Sequence, residues 1–319
     1  MRKRHFQKDQ RNQFVVRETE LPAIKKVKYS LDDRIFYVAI NVFLSLILIV
    51  ILYPLIYVVS SSFSSTRAIL NGRVFLWPVE LSIDGYKLVF GYKFIGTGYI
   101  NSIIYTASAT TLSVFFTMVA AYPFARKNLP FKKFFMFLFM FTMFFGGGMI
   151  PNFLLMRQLH LLNTRLVLII PGLISVYNMI VARTFIQSSI PGELLEAAQI
   201  DGCSNTRYFF QMVLPLSKAV IAVLVLYYGV DNWNSYFPAL LYLNDRALYP
   251  LQLFLRQILV ANTISANDFS DPEMIEAMQG MAELLKYALI VIGSVPVIVL
   301  YPFIQKYFAQ GVMIGSIKG

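Results

Sequence analysis

The chain has 319 residues, of which 57% are apolar and only 14% charged, whereas a soluble domain carries about a quarter charged residues. Much of its +11 net charge sits in residues 1–34 and in Arg126, Lys127, Lys132 and Lys133. With no helix-turn-helix or stacking platform beside it, that charge reads as the cytoplasmic Lys/Arg bias of a membrane protein rather than a nucleic-acid surface. The single cysteine, Cys203, excludes an intrachain disulfide, and the two distant histidines, His5 and His160, exclude a Cys/His zinc site.

Residues 1–34 are polar, mix both signs and read as a cytoplasmic tail, ahead of a membrane domain over 35–319. The first span is expected from Ile35 to about Ser60. Its length, after a long charged leader, suits a retained anchor better than a cleavable signal, whose apolar region runs about 7–15 residues. Pro54 should kink its outer end. Residues 61–98 read as a polar loop with turn points at Gly72, Pro78 and Gly85, and with Trp77 at the interface.

The second span is expected from about Tyr99 to Ala125, rich in Ser, Thr and Ala, which lets helices approach closely inside a bundle. A third runs from about Phe134 to Pro151, broken near its outer end by Gly146, Gly147 and Gly148. That break reads as structural or gating. The fourth covers about Leu166 to Gln187 and is interrupted at Pro171-Gly172. Residues 188–217 are polar enough to leave the membrane. The fifth span is about Ala219 to Leu243 and the sixth about Tyr287 to Lys306, with a helix start at Asp271-Pro272-Glu273 between them. These six spans put both termini on one side, and the charge bias makes that side the cytoplasm. The fold class is therefore an all-α integral membrane protein.

Residues 190–215 carry the functional signal. They read as two short helices. Pro191 suits a first helical position and Glu193 an anion in the first turn. Leu194, Ala197, Ala198 and Asp201 share one side by 3- and 4-residue spacing. Gly202 ends the first helix, Ser204 caps the second, and Pro215 leads into the fifth span.

This segment resembles the signature of ABC importer permeases: Glu-Ala-Ala, three residues, Gly, nine residues, then Ile-x-Leu-Pro. Here Glu196-Ala197-Ala198 is followed by Gly202 and, nine residues later, by Met212-Val213-Leu214-Pro215. Met212 stands where the family has Ile; the spacing is intact. The likeness extends over most of residues 35–319. It includes Pro54 to Ser60, Ser62-Phe63-Ser64, Asn101-Ser102, Trp233 to Leu240, Tyr249-Pro250-Leu251, and the ending Gln305 to Phe308 with Gly311 to Gly319. The branch it resembles is the second permease of maltose-type carbohydrate importers, and within it the oligosaccharide and uronate-glycan permeases.

The resemblance implies a type I importer fold in the cell membrane, with loop 188–217 coupling to a separate ATPase. Glu193, Glu196, Ala197, Ala198, Asp201, Gly202, Leu214 and Pro215 are the expected coupling residues. It also implies a second permease chain, two ATPase copies and an extracytoplasmic solute-binding protein, within membrane lipid. This chain itself should hold no cofactor, because ATP and Mg belong to the ATPase. Gly-Lys never occurs, so a phosphate loop is absent, as are Gly-x-Ser-x-Gly and His-Glu-x-x-His. The chain is not expected to be an enzyme. Other solutes, such as polyols, peptides or amino acids, would suit the same class, and an intramembrane enzyme or a scaffold without transport are the rival classes.

Asp231, Asn232, Trp233, Asn234 and Tyr236 lie within an expected span, where polar groups are costly unless they face protein or a cavity. Rings beside amides suit sugar faces and hydroxyls. The same groups also suit interhelical hydrogen bonds. Tyr227 joins them as a candidate for substrate contact or gating, as does Tyr228, both ranking behind the 231–236 cluster.

Overall fold

The computed structural model describes residues 30–267 and 272–316. Most of the expected 1–34 tail, Asp271 and the last residues, Ile317 to Gly319, lie outside the described residues. Among those described, every regular element is helical, which keeps backbone polar groups paired within each segment in a medium without water. The chain divides into two compact units at Tyr53/Pro54.

The first unit contains the N-terminal part of α1 (Leu31–Ser62), a helix that runs on through Pro54. It begins at Leu31 rather than at Ile35 because Ser30 and Asp33 cap each other. The Asp33 carboxylate accepts from the Ser30 amide at 3.0 Å, and the Ser30 hydroxyl accepts from the Asp33 amide at 3.1 Å.

In the second unit, the stretch expected as a loop over 61–98 holds two helices, α2 (Thr66–Leu70) and α3 (Asp84–Gly91). Gly72 does turn the chain, with φ of 63°. Gly85 does not: it lies in α3, against Leu284 and Ala288. Serines tie this region together, with the Ser64 hydroxyl donating to Ser60 O and accepting from the Val79 amide. The Ser65 hydroxyl and Arg73 hold the Glu80 carboxyl below its ordinary range.

The long helix α4 (Ile95–Ala125) follows, then α5 (Lys132–Phe144) and α6 (Met149–Gln158). The expected break at Gly146 to Gly148 is present, and it bends α6 by 108° from α5. Gly148 has φ of 84°, a conformation open to glycine at no steric cost. Pro151 lies inside α6 rather than ending the segment.

The fourth expected span is only partly helical. A 3-10 turn at Arg165–Leu168 gives way to irregular chain around Pro171-Gly172, and helix resumes as α7 (Val176–Ser189). Pro171 supplies no N–H to a helical ladder, and Gly172 has φ of 78°. The chain continues through α8 (Gly192–Ile200), α9 (Asn205–Tyr208), a π turn at Phe209–Val213, α10 (Leu214–Leu216) and α11 (Lys218–Asn234). The fifth expected span thus ends its main helix at Asn234, and Phe237–Tyr242 forms a separate α12. After a 3-10 turn at Arg246–Leu248 come α13 (Leu251–Asn267) and α14 (Pro272–Ser316). The sixth expected span lies within α14, which starts fifteen residues ahead of Tyr287, at Pro272, a residue well suited to a first turn.

Among the described residues, three helical stretches are long and apolar enough to cross a membrane: α1, α4 and residues 279–302 of α14. Two bent pairs, α5 with α6 and the 205–216 segment with α11, raise the number to five by length and composition.

Helix α4 organises the second unit. Near its C-terminal end Met118, Ala121 and Phe124 pack with Met179 and Ala182 of α7 and with Val220 and Leu224 of α11. Its opposite end packs through Ile95 in a cluster with Trp233, Leu251, Phe254 and Leu289. Gly98 makes the approach of α13 feasible, since a Cβ there would lie 2.7 Å from the Phe254 ring.

Candidate functional site

Two features stand out in this frame: a cavity with polar groups in its walls and the 190–215 loop. The cavity has a volume of about 1140 Å³. Ser102, Tyr105, Ala109 and Ser113 of α4 line one wall, at the 3- and 4-residue spacing that keeps a helix face in register. The irregular 167–175 stretch with Tyr177 and Asn178 of α7 forms another, and α11 contributes Tyr227, Tyr228, Asp231, Asn232 and Asn234. Tyr242 and Tyr301 complete the aromatic lining. Irregular backbone at Pro171-Gly172 borders this cavity, which is where a membrane protein tolerates it.

Hydrogen bonds fix the walls. The Ser175 amide donates to the Tyr228 hydroxyl at 2.9 Å, and the Tyr228 and Thr117 hydroxyls pair at 2.7 Å. One side chain thereby joins α4, α7 and α11. At the other end, the Asn101 amide nitrogen donates to Ala247 O and Tyr249 O, and Tyr105 donates to Leu248 O. The Leu251 amide donates to Ser102. The 245–251 turn is thus bound to α4, with Asn101-Ser102 as its anchor.

The sequence candidates separate. Tyr227, Asp231, Asn232 and Asn234 all border the cavity. Trp233 does not: it is 4% exposed, its Nε1 donates to Gly293 O at 2.8 Å, and its ring meets Tyr99 edge-on. It faces instead an apolar groove of about 750 Å³ that runs along α4, α11 and Val299 and Leu300 of α14. This follows from helical geometry, which points residue 233 away from residues 231 and 234. Tyr236 is also outside the cavity, with the Arg256 guanidinium 5.2 Å above its ring. Sequence reasoning missed Tyr105, Tyr177, Asn178, Tyr242 and Tyr301. Of these, Tyr105 was within reach, since it shares the α4 face of Ser102, Ala109 and Ser113.

In the loop, α8 begins at Gly192 with Pro191 as its N-cap, one residue later than expected. Its end is a full glycine stop. The Cys203 amide donates to Ala198 O, the Gly202 amide donates to Gln199 O, and Gly202 has φ of 71°. Ser204 then caps α9 by accepting from the Arg207 amide. Glu193, Glu196, Ala197, Asp201 and Gly202 are exposed, and Ile200 is 86% exposed. Ala198 alone of α8 is buried, in the same cluster as Met118 and Phe124. Leu214 is partly buried against that cluster, and Pro215 is exposed. Of the residues grouped by 3- and 4-residue spacing, Leu194, Ala197 and Asp201 are exposed and Ala198 is buried.

Among the described residues, helices with an apolar exterior and a solute-sized cavity between them make a polytopic membrane protein of the channel-forming kind. Residues 112–314 match the family model described as the binding-protein-dependent transport system inner membrane component. The chain belongs to this family: it is a multi-pass permease subunit of an ABC importer in the cell membrane, and not an enzyme.

It is 38% identical to the polygalacturonan/rhamnogalacturonan transport system permease protein YtcP of Bacillus subtilis, over 91% of this chain and 100% of that one. It is also 38% identical to protein LplC of the same organism, over 90% and 96%. Among solved structures, it matches a chain of a bacterial ABC transporter involved in the import of the acidic polysaccharide alginate. That match has a TM-score of 0.76 and 34% identity and covers 88% of this chain and 99% of the other.

Proposed function

We propose that the chain is one of two channel-forming subunits of an importer for carbohydrates, in particular oligosaccharides, with uronate-containing glycans as the favoured class. The single observation that carries the sugar reading is the cavity wall. Its accessible rings, Tyr177, Tyr227, Tyr242 and Tyr301, stand beside Asn232 and Asn234. Rings offer surface to the CH faces of a sugar, and amides exchange hydrogen bonds with its hydroxyls. The relatives named for polygalacturonan/rhamnogalacturonan and for the acidic polysaccharide alginate support the acidic subclass. No lysine, arginine or histidine is among the described lining residues, and Asp231 is the one carboxylate.

The full assembly in this reading holds a second permease, two ATPase copies that bind ATP and Mg, and an extracytoplasmic solute-binding protein. The chain crosses the bilayer six times with both termini in the cytoplasm, and the broken 165–189 segment is the crossing that helix length alone does not reveal. Exposed α8, with Glu193 and Glu196 outward, docks on the ATPase, and Gly202 sets the reversal into α9. ATP-driven closure of the ATPases moves the docked loops and switches the cavity between inward and outward access.

A binding screen of neutral and uronate oligosaccharides against the cognate solute-binding protein, followed by uptake of the ligands found, tests the substrate class. Uronate oligosaccharides should bind and be taken up. Binding of only an amino acid, a peptide or a polyol would overturn the carbohydrate reading.

A further inference from the structure

The docking residues explain how an ATPase could grip the loop, but not how the grip reaches the cavity. Between the two lies the C-terminal end of α4. An α-helix leaves its last four carbonyls without intrahelical partners. Here α7 supplies partners: Arg183 Nε donates to Phe124 O at 3.1 Å, and Gln187 Nε2 donates to Ala125 O at 3.2 Å. Lys132 donates to Arg126 O at 2.9 Å. The cations also suit the negative end of the helix dipole.

Arg126 itself reaches the loop. Its guanidinium donates to Asn205 Oδ1 of α9 at 2.8 Å and lies 5.9 Å from the Tyr122 ring centroid. Tyr122 in turn packs on Tyr208 and Phe209, with ring centroids 6.4 and 5.3 Å away. The segments on both sides of α8 are therefore held to one helix end, α7 before it and α9 after it. Farther along, that helix lines the cavity through Ser113, Ala109 and Tyr105.

We infer that Arg126 is a positioning residue which, through Asn205 and Tyr122, transmits movement of the docked loop to the cavity wall. Arg126 is half-buried and lies outside the signature-spaced segment. Its role is to make α8, α9 and α4 move as one piece. The inference rests on the reading of α8 as the ATPase-docking helix. A guanidinium suits the task because its planar fork can bond Asn205 while lying against an aromatic ring, which an ammonium does less well.

The test uses the complete reconstituted complex carrying Arg126→Ala, Arg126→Lys, Asn205→Ala or the Arg126→Ala/Asn205→Ala pair. ATPase recovered with the tagged permease reads docking; the ratio of hydrolysis with and without ligand-loaded binding protein reads transmission. Docking should stay within about twofold of the unsubstituted protein while the stimulation ratio falls about tenfold, inside the usual range for coupling between sites. Arg126→Lys should recover part of the ratio, and the pair should be no worse than Arg126→Ala alone, as expected for partners in one contact. Asn205 is exposed, so its variant reads the bond without disturbing α4. An unchanged ratio in Asn205→Ala and Arg126→Ala would overturn the inference, as would loss of docking in Asn205→Ala. Failure of the docking reading shows elsewhere, as wild-type docking and stimulation in Glu196→Ala.

Discussion

Adjacent residues on α11 have opposite fates, and that separates packing from transport. Trp233 is buried with its Nε1 bonded to Gly293 O, whereas Asn234 is exposed and borders the cavity. Truncating a buried Trp costs about 3–5 kcal/mol. Trp233→Ala should therefore reduce the amount of assembled complex recovered from membranes. Asn234→Ala should assemble normally and lower uptake instead, measured as transported sugar per unit of complex. Equal loss of assembly in both variants would mean that Asn234 is also a packing residue.

At the scale of elements, the approach of α4 to α13 depends on Gly98. The Phe254 ring it touches is buried and stacked on Phe94 at 5.9 Å, so it has little room to yield. Overpacking of this kind costs about 1–3 kcal/mol. Gly98→Val should lower the thermal denaturation midpoint of the purified subunit complex, while Gly96→Val, where a Cβ meets nothing within 4 Å, should leave it nearly unchanged.

Elements with strong local signals were legible before any coordinates. The apolar runs gave α1 and α4 to within a few residues, and Gly202 and Ser204 gave the stop and the cap of the loop. Less legible were α2 and α3, short amphipathic helices tied by serine hydrogen bonds and by packing on Leu284 and Ala288. The break in the fourth span at Pro171-Gly172 was legible too, but not that helix resumes only at Val176. The cavity was half legible, because amides on α11 stand out in sequence while Tyr177, Tyr242 and Tyr301 become neighbours only through tertiary packing.

For the whole molecule, orientation is the first thing to establish. The 31 residues of α4 span about 46 Å at 1.5 Å per residue, more than the hydrocarbon core of about 30 Å. In the proposed topology its two ends lie on opposite sides of the membrane. Leu81 is 81% exposed in the segment before α4, and Thr206 is exposed in the loop tied to its far end. In a Cys203→Ser background, Leu81→Cys should react with a membrane-impermeant thiol reagent on intact cells and Thr206→Cys should not. The opposite labelling would invert the proposed topology.

The central claim is that α8 passes the work of a separate ATPase to a cavity that this chain helps to form. Its most direct test is ligand-stimulated ATP hydrolysis in reconstituted complexes carrying Glu196→Ala or Gly202→Asp, with ATPase recovery measured beside it. Removing one partner of a desolvated interfacial charge pair costs about 2–5 kcal/mol, a loss of about 30-fold or more. A side chain at Gly202 must adopt φ near 71°, which strains the reversal into α9. Both variants should insert in the membrane and lose stimulated hydrolysis, with ATPase recovery falling in Glu196→Ala. Wild-type recovery and stimulation in both would contradict the account and leave residues 190–215 as a passive surface loop.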